Sequence, residues 1–185
     1  MKYSYLTEVH NLHIFHVVRE DKKQYEVGEE ICAPFSQKRD FSHWKSYKQQ
    51  AEELLENERA VNYPEYPSRI DCLFASLNEQ SALNWASYKY RKRGVFYLYE
   101  MVILEGKLIN LDTDFFEEVG LIIANNRSSI SGKYSLEECL INYWSGKSFR
   151  LEENSMREVL VNGTIKVITK KRCHFDRFNN TILYE

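Results

Sequence analysis

Alternating apolar and polar positions predict three β-strands in the first part of the chain. They cover residues 12–18, 70–75 and 95–104, and the first and third are apolar on both faces, as in strands at the middle of a sheet. The second strand runs directly into a helix, for which Asn78 is the predicted N-cap. Ser76 lies at this corner, where many α/β proteins hold a phosphate-bearing ligand, although the same corner is also common without one.

Two turn signals predict β-hairpins. Residues 105–107 are expected to turn the third strand back on itself. The dipeptide Asn162-Gly163 lies in the middle of an apolar stretch at residues 157–168 and is typical of two-residue hairpin turns, because both positions accept positive φ. Glu158 opens this stretch, so its carboxylate is either at the rim of the fold or a catalytic acid.

Apolar residues at three- and four-residue steps predict helices. The predicted helices cover residues 42–60, 79–93, 115–124 and 136–144. We expect Asp114 to cap the third helix, and Ser135 with Glu138 to cap the fourth in a capping box. Strands and helices therefore both contribute to the fold.

Charged residues surround the break after the first helix. The predicted outer face of that helix is acidic and consists of Glu52, Glu53, Glu56 and Glu58. Two prolines, Pro64 and Pro67, then favour extended backbone, so we expect Arg69 at the mouth of the next strand. An arginine there can clamp a phosphate through two hydrogen bonds, or it can be an ordinary surface residue.

The composition is that of a single globular domain over residues 1–185. A net charge of −2 provides no overall field toward nucleic acid or a membrane, and no apolar run reaches the roughly 18 residues of a spanning helix. The four cysteines are scattered without a CxxC motif, which argues against zinc or iron–sulfur ligation and favours a reduced, cytoplasmic protein.

Alternation places His13 and His16 on opposite faces of their strand, so no metal site is expected there. His16 is either a hydrogen-bonding residue in a cleft or a satisfied core histidine.

Five short motifs follow one another in an order that resembles a known superfamily. They are Ile-Phe-His-Val-Val at residues 14–18, Gly-Glu-Glu-Ile at 28–31, Phe-Ala-Ser at 74–76, Val-Phe-Tyr-Leu-Tyr-Glu at 95–100 and Arg-Glu-Val-Leu-Val at 157–161. This series resembles the ADP-ribosyltransferase superfamily, especially its small bacterial members, which include the rifamycin-modifying type. The segment Tyr-Pro-Ser-Arg at 66–69 is similar to a related bacterial family of unknown function. Phe74 stands where the rifamycin-modifying type has a tyrosine.

The resemblance implies an NAD site built from residues that are far apart in the chain. Glu158 would stabilise the positive charge that develops on the ribose when the nicotinamide bond breaks, with Asp112 as the alternative acid. The residues implied to bind NAD, which is the substrate, are His16, Arg69, Phe74, Ser76, Tyr88 and Tyr97. His16 would hold a ribose hydroxyl on the adenosine side, and Arg69 would hold the pyrophosphate. Ser76 would fix the nicotinamide end, on which one of the three aromatic rings would stack.

The resemblance also implies a fold and a function. The fold is α+β, a split antiparallel β core flanked by helices, with a groove wide enough for a dinucleotide between the two β halves. The function is mono-ADP-ribosyl transfer to a protein or nucleic acid, as a toxin, a phage-defence effector or a phage protein, with an antitoxin or inhibitor as a further partner.

Two alternatives stay open. One is a relative that uses the same cleft differently, either an RNA 2′-phosphotransferase or an NAD-cleaving hydrolase. The other is a non-catalytic module that binds nucleotide or RNA through the basic, aromatic residues 170–178. Those residues also fit an edge strand protected by lysines.

Overall fold

The chain folds into one curled antiparallel sheet with helices packed against it, which confirms the predicted α+β class. The computed structural model describes residues 7–36, 45–90, 94–150, 156–176 and 181–184. The strands within these residues are β1 (Thr7–Val9), β2 (Leu12–Arg19), β3 (Glu30–Ala33), β4 (Leu73–Ala75), β5 (Val95–Asp112), β6 (Arg157–Asp176) and β7 (Thr181–Tyr184). The helices are α1 (Ser46–Asn62), α2 (Glu79–Tyr90), α3 (Thr113–Asn125) and α4 (Leu136–Trp144).

Two long strands form the frame of the sheet. β5 and β6 pair antiparallel along their lengths, and the pairing ends with Asp112 opposite Arg157. β1 and β2 pair with the outer edge of β5, and β3, β4 and β7 pair with the outer edge of β6. A bridge between Phe15 of β2 and Ser76 after β4 joins these two edges through two backbone hydrogen bonds of 2.8 Å. The bridge curls the sheet and brings β2 against β4.

Both predicted hairpins are wrong, because the turn signals lie inside continuous strands. Gly106 and Gly163 face each other in the β5–β6 ladder, beside a register shift between Ile103 and Glu105. A Cβ atom on Gly106 would lie 2.3 Å from the carbonyl oxygen of Asn162, and one on Gly163 would lie 2.2 Å from that of Glu105. The two glycines therefore permit the close approach of two irregular strands and not a chain reversal.

We expect Gly106→Ala to destabilise the fold by about 2–3 kcal/mol, because the new methyl group would collide with backbone atoms of the partner strand. Urea denaturation measures this loss in the free energy of unfolding. Gly120→Ala in α3 is the matched control, since its Cβ would only touch the ring of Tyr47 at 3.4 Å. Alanine in place of that helical glycine should be neutral or stabilising by about 0.5–1 kcal/mol. Equal stability of the two variants would contradict the close contact of the strands.

Buried apolar clusters hold the helices on the sheet. α1, α3 and α4 cover the region where β5 ends and β6 begins, around Ile109, Leu111 and Leu160. α2 packs elsewhere, against Phe96 and Leu98 of β5. A third cluster is formed mainly by residues of the strands themselves. Among the described helices, none is long and apolar enough to cross a lipid bilayer.

Side-chain caps set where the helices begin. α4 starts with the predicted capping box, in which Ser135 and Glu138 each accept a hydrogen bond from the backbone N–H of the other. Asn78 caps α2 through its side-chain oxygen, as predicted. α3 is capped by Asp112, which accepts from the N–H of Asp114, so the predicted cap at Asp114 is wrong. Predicted helical residues that lie outside the described ones are 42–44 and 91–93.

Candidate functional site

A small pocket opens where β2, β4 and β6 meet beside α2. It is lined by Phe15, His16, Val17, Phe74, Ala75, Ser76, Trp85, Arg157 and Glu158. Four residues that the resemblance assigned to the NAD site are among them, namely His16, Phe74, Ser76 and Glu158. The pocket has a volume of about 40 Å³, which is room for about three water molecules. It is therefore narrower than the expected dinucleotide groove, and a ring at one end of such a ligand would enter it only in part.

The strand register explains why these residues meet. β4 pairs with the beginning of β6, and the positions just beyond their last pair are Ser76 and Glu158. Ser76 also bridges to Phe15, which places the neighbouring His16 at the same junction. Residues that are far apart in the chain therefore line one pocket, because β2 joins β4 where β6 begins.

The backbone of β4 fixes the imidazole of His16. Its Nδ1 atom lies 2.6 Å from the carbonyl oxygen of Phe74. A carbonyl oxygen can only accept, so Nδ1 carries the proton and donates it to this hydrogen bond. The ring centroid lies 6.2 Å from that of Tyr25 and 6.4 Å from that of Tyr99. His16 thus lines the pocket in an orientation that its neighbours determine.

A buried hydrogen-bond network holds the carboxylate of Glu158. Its Oε1 atom accepts from the hydroxyl of Tyr143 in α4 at 2.7 Å and from the guanidinium of Arg69. The same guanidinium donates from Nε and Nη2 to both oxygens of Glu52 in α1, at 2.7 and 2.8 Å. All of these side chains are buried. No donor among the described residues contacts the second oxygen of Glu158, Oε2, which leaves that oxygen to a molecule in the pocket.

The network corrects two expectations from the sequence. Arg69 is only 3% exposed and its donors are used by two carboxylates, so it is not placed to clamp a pyrophosphate. Glu52 is 2% exposed and lies on the inner side of α1 with Ala51 and Leu55, so it does not belong to an acidic outer face. Both burials depend on pairing, because an unpaired charge would be costly to remove from water.

Two carboxylates share one guanidinium in this network. Burial by itself lowers the pKa of Arg69, but Glu158 and Glu52 beside it raise that pKa well above its usual value. Burial also raises the pKa of the Tyr143 phenol well above its ordinary value, even though Arg69 opposes the shift. Tyr143 is therefore neutral, and two negative charges against one positive charge leave the network with one excess negative charge.

Arg157 places a cation at the same pocket. Its Nη1 atom lies 3.5 Å from the carbonyl oxygens of Asn110 and Gly146, and its Nη2 atom donates to the hydroxyl of Ser148. Among the described residues, Arg157 forms no ion pair with a carboxylate. A half-buried guanidinium with neutral partners can take an anionic group of a ligand as its counter-ion.

A comparison with known families covers most of the chain. A family model described as "Protein of unknown function (DUF2441)" matches residues 44–174. The chain belongs to the DUF2441 family. No curated protein matches the chain. The matched segment of this DUF2441 protein includes Arg69, Ser76, Arg157 and Glu158, whereas His16 precedes it.

Asp112 of the DUF2441 protein is a structural residue and is not placed to serve as the alternative acid. It is fully buried. One carboxylate oxygen accepts from the N–H of Asp114 at 2.9 Å, and the other accepts from the N–H of Phe149 at 2.8 Å. These bonds fix the start of α3 and the segment after α4. Glu158 is the carboxylate that lines the pocket.

Two of the three aromatic residues proposed to stack on nicotinamide lie away from the pocket. Tyr88 is 67% exposed on α2, and the ring centroid of Tyr97 lies 5.0 Å from the ammonium of Lys170. Neither lines the pocket that His16, Ser76 and Glu158 share. Phe74 does line it, and Trp85 of α2 supplies a second ring there.

Sequence reasoning assigned no role to five of the pocket residues, and the three of these with aromatic or charged side chains are Phe15, Trp85 and Arg157. Two of them directly precede a residue that was assigned, since Phe15 precedes His16 and Arg157 precedes Glu158. Trp85 belongs to the apolar stripe of α2, so its helical spacing was a usable signal. That spacing indicates burial against the sheet but does not reveal a pocket.

The basic residues near the end of β6 are paired with carboxylates. Ion pairs join Lys170 to Glu26, Lys171 to Glu79 and Arg172 to Glu20. β6 lies between β5 and β7 at Cys173 and His174, so the expected edge strand is wrong at these two residues. Because these cations already have counter-ions, they do not favour the RNA-binding alternative. Residues 177 and 178 of the predicted segment lie outside the described ones.

Proposed function

We propose that this DUF2441 protein is an NAD-dependent mono-ADP-ribosyltransferase with an ADP-ribosyltransferase-like β core. One observation carries the proposal. His16, Ser76 and Glu158, which the resemblance assigns to the NAD site, line a single pocket although they come from distant parts of the chain. The strand order supports it further, because the bridge between β2 and β4 joins the two edges of the curled sheet at this pocket.

The reaction needs a carboxylate beside a carbon that becomes positively charged. Nicotinamide leaves with the electron pair of the glycosidic bond, and the ribose carbon acquires oxocarbenium character. Glu158 can stabilise that charge, because Tyr143 and Arg69 fix Oε1 and leave Oε2 to the ligand. A nucleophilic atom of the acceptor then bonds to the same carbon and releases its proton. His16 is assigned to a ribose hydroxyl.

The pocket offers groups for both charged parts of NAD. Phe74 and Trp85 provide rings against which the nicotinamide can stack, and the Ser76 hydroxyl can bond to its carboxamide. Arg157, in place of Arg69, is the cation assigned to the diphosphate. A ligand with a cationic ring and an anionic diphosphate matches a pocket that carries both a carboxylate and a guanidinium.

We expect Arg157→Gln to weaken the binding of ADP-ribose about 10- to 100-fold, because charge-assisted hydrogen bonds to the diphosphate are lost. Isothermal titration calorimetry measures the affinity. Arg150→Gln is the matched control, since Arg150 is an exposed arginine that pairs with Asp114 outside the pocket. If the two variants bind ADP-ribose with equal affinity, Arg157 does not belong to the diphosphate site.

Incubation with NAD labelled in its adenylate phosphate tests the proposed function. The purified protein is mixed with a cell extract as a source of acceptors. Label that is bound to macromolecules supports a transferase. Its release by protease identifies the acceptor as protein, and its release by nuclease identifies the acceptor as nucleic acid. Label in free ADP-ribose alone identifies a hydrolase, and intact NAD contradicts an NAD-consuming enzyme.

A further inference from the structure

Glu52 reaches the pocket carboxylate through a shared guanidinium. Nε and Nη2 of Arg69 donate to Glu52, whereas Nη1 donates to Glu158 and to the hydroxyl of Tyr143. The guanidinium carbon also lies 5.0 Å from the ring centroid of Phe74. A cation enclosed in this way needs a counter-ion, but one carboxylate is enough to neutralise it.

The second carboxylate changes the charge of the network. Arg69 and Glu158 alone would form a neutral pair, and the buried Glu52 adds one negative charge. Tyr143 contributes a hydrogen bond and no charge. Charges separated by a few ångströms in a poorly hydrated interior act on each other much more strongly than in water. The excess negative charge therefore lies beside the pocket that Glu158 lines, where Arg157 supplies the cationic group.

We infer that Glu52 is a positioning residue that offsets the charge of Arg69, so that Glu158 presents a negative charge to a cationic group in the pocket. For turnover, the inference rests on the proposed function. For binding, it applies to any flat organic cation that enters the pocket. A buried ion pair adds little net stability to a fold. We therefore explain the presence of Glu52 by the negative charge that it gives to the site.

Three variants test the inference by kinetics. Glu52→Gln keeps the shape of the side chain and removes its charge, so we expect kcat for NAD cleavage to fall about 10- to 100-fold with KM nearly unchanged. The double variant E52Q/R69Q restores the single negative charge, and the hydroxyl of Tyr143 still donates to Glu158. Its kcat should recover to within about tenfold of wild type. Glu53→Gln, at an exposed glutamate of the same helix, is the matched control and should leave kcat unchanged.

Two small probes test the inference independently of turnover. 1-Methylnicotinamide carries a permanent positive charge on its ring, and nicotinamide is a neutral molecule of similar shape. We expect wild type to bind the cation at least about fivefold more tightly in an NMR titration. This preference should be lost in E52Q and restored in the double variant.

Several results would overturn the inference. They are equal affinity of wild type for the two probes, an E52Q variant that keeps the preference, and a double variant that is less active than E52Q. The last result would mean that Glu52 acts through hydrogen-bond geometry alone. If E52Q does not fold, the double variant decides the matter, since a retained preference supports the inference and a lost one overturns it. Cation preference without NAD cleavage would overturn the proposed function and leave this inference standing.

Discussion

Glu158→Gln is expected to reduce kcat for NAD cleavage by about 10²- to 10³-fold or more while NAD still binds. The amide has nearly the same shape as the carboxylate and can still accept from Tyr143, but it carries no negative charge for the oxocarbenium-like ribose. Release of nicotinamide measured by chromatography gives kcat, and calorimetry gives the affinity for NAD.

Glu105→Gln is the matched control for this prediction. Glu105 is an exposed glutamate of β5 that does not line the pocket, so its loss should leave both turnover and NAD affinity unchanged. A Glu158→Gln variant with full activity would remove Glu158 from the mechanism. A variant that loses NAD binding and turnover together would mean that the carboxylate serves the ground state and not the transition state.

Arg69→Met is expected to lower the free energy of unfolding by about 3–5 kcal/mol at neutral pH. The substitution leaves the carboxylates of Glu52 and Glu158 buried without their shared cation. Urea denaturation measures the loss. Lys48→Met is the control, because Lys48 pairs with Glu117 at a partly exposed site and such pairs contribute less than about 1 kcal/mol.

The loss caused by Arg69→Met should depend on pH. Protonation of a buried carboxyl group removes its unpaired charge, so the folded variant binds protons more readily than the unfolded chain. Stability of the variant relative to wild type should therefore improve as the pH is lowered from 7 toward 5. A loss that is the same at both pH values, or no larger than that of Lys48→Met, would contradict the buried network.

Local signals made much of the architecture predictable. Alternation of side chains predicts the strand that begins at Leu12, and the capping residue Asn78 predicts the helix that follows it. The capping box of Ser135 and Glu138 fixes the start of α4 in the same way. Each of these features is determined within a few residues of chain, so no tertiary information is needed.

The two glycine signals show where local reasoning fails. Gly106 and Gly163 have the sequence signature of turns, but both are needed because another strand passes too close to leave room for a Cβ atom, and Gly163 also has a φ of +148°. The sequence shows only a glycine, whether that glycine is needed for a positive φ or for the close approach of another strand. Only the register of β5 against β6 distinguishes them.

The candidate site was predictable in part, for a related reason. His16, Ser76 and Glu158 could be named from motifs, but their meeting depends on the bridge between β2 and β4. The roles of Arg69 and Arg157 could not be separated, because Arg69 directly precedes one strand predicted from the sequence and Arg157 opens another. Arg69 is buried against three helices, where its guanidinium pairs with two carboxylates, whereas Arg157 lines the pocket. Burial of that kind is a tertiary property with no local signature.

A crystal structure with carbocyclic NAD, an analogue that resists cleavage, tests the central claim most directly. The account predicts that the nicotinamide ring contacts Phe74 and Trp85. It also predicts that the Glu158 carboxylate lies about 3–4 Å from the ring carbon to which the nicotinamide is bonded. An analogue bound elsewhere on the protein, or bound with its adenine in this pocket and its nicotinamide remote from Glu158, would contradict the account.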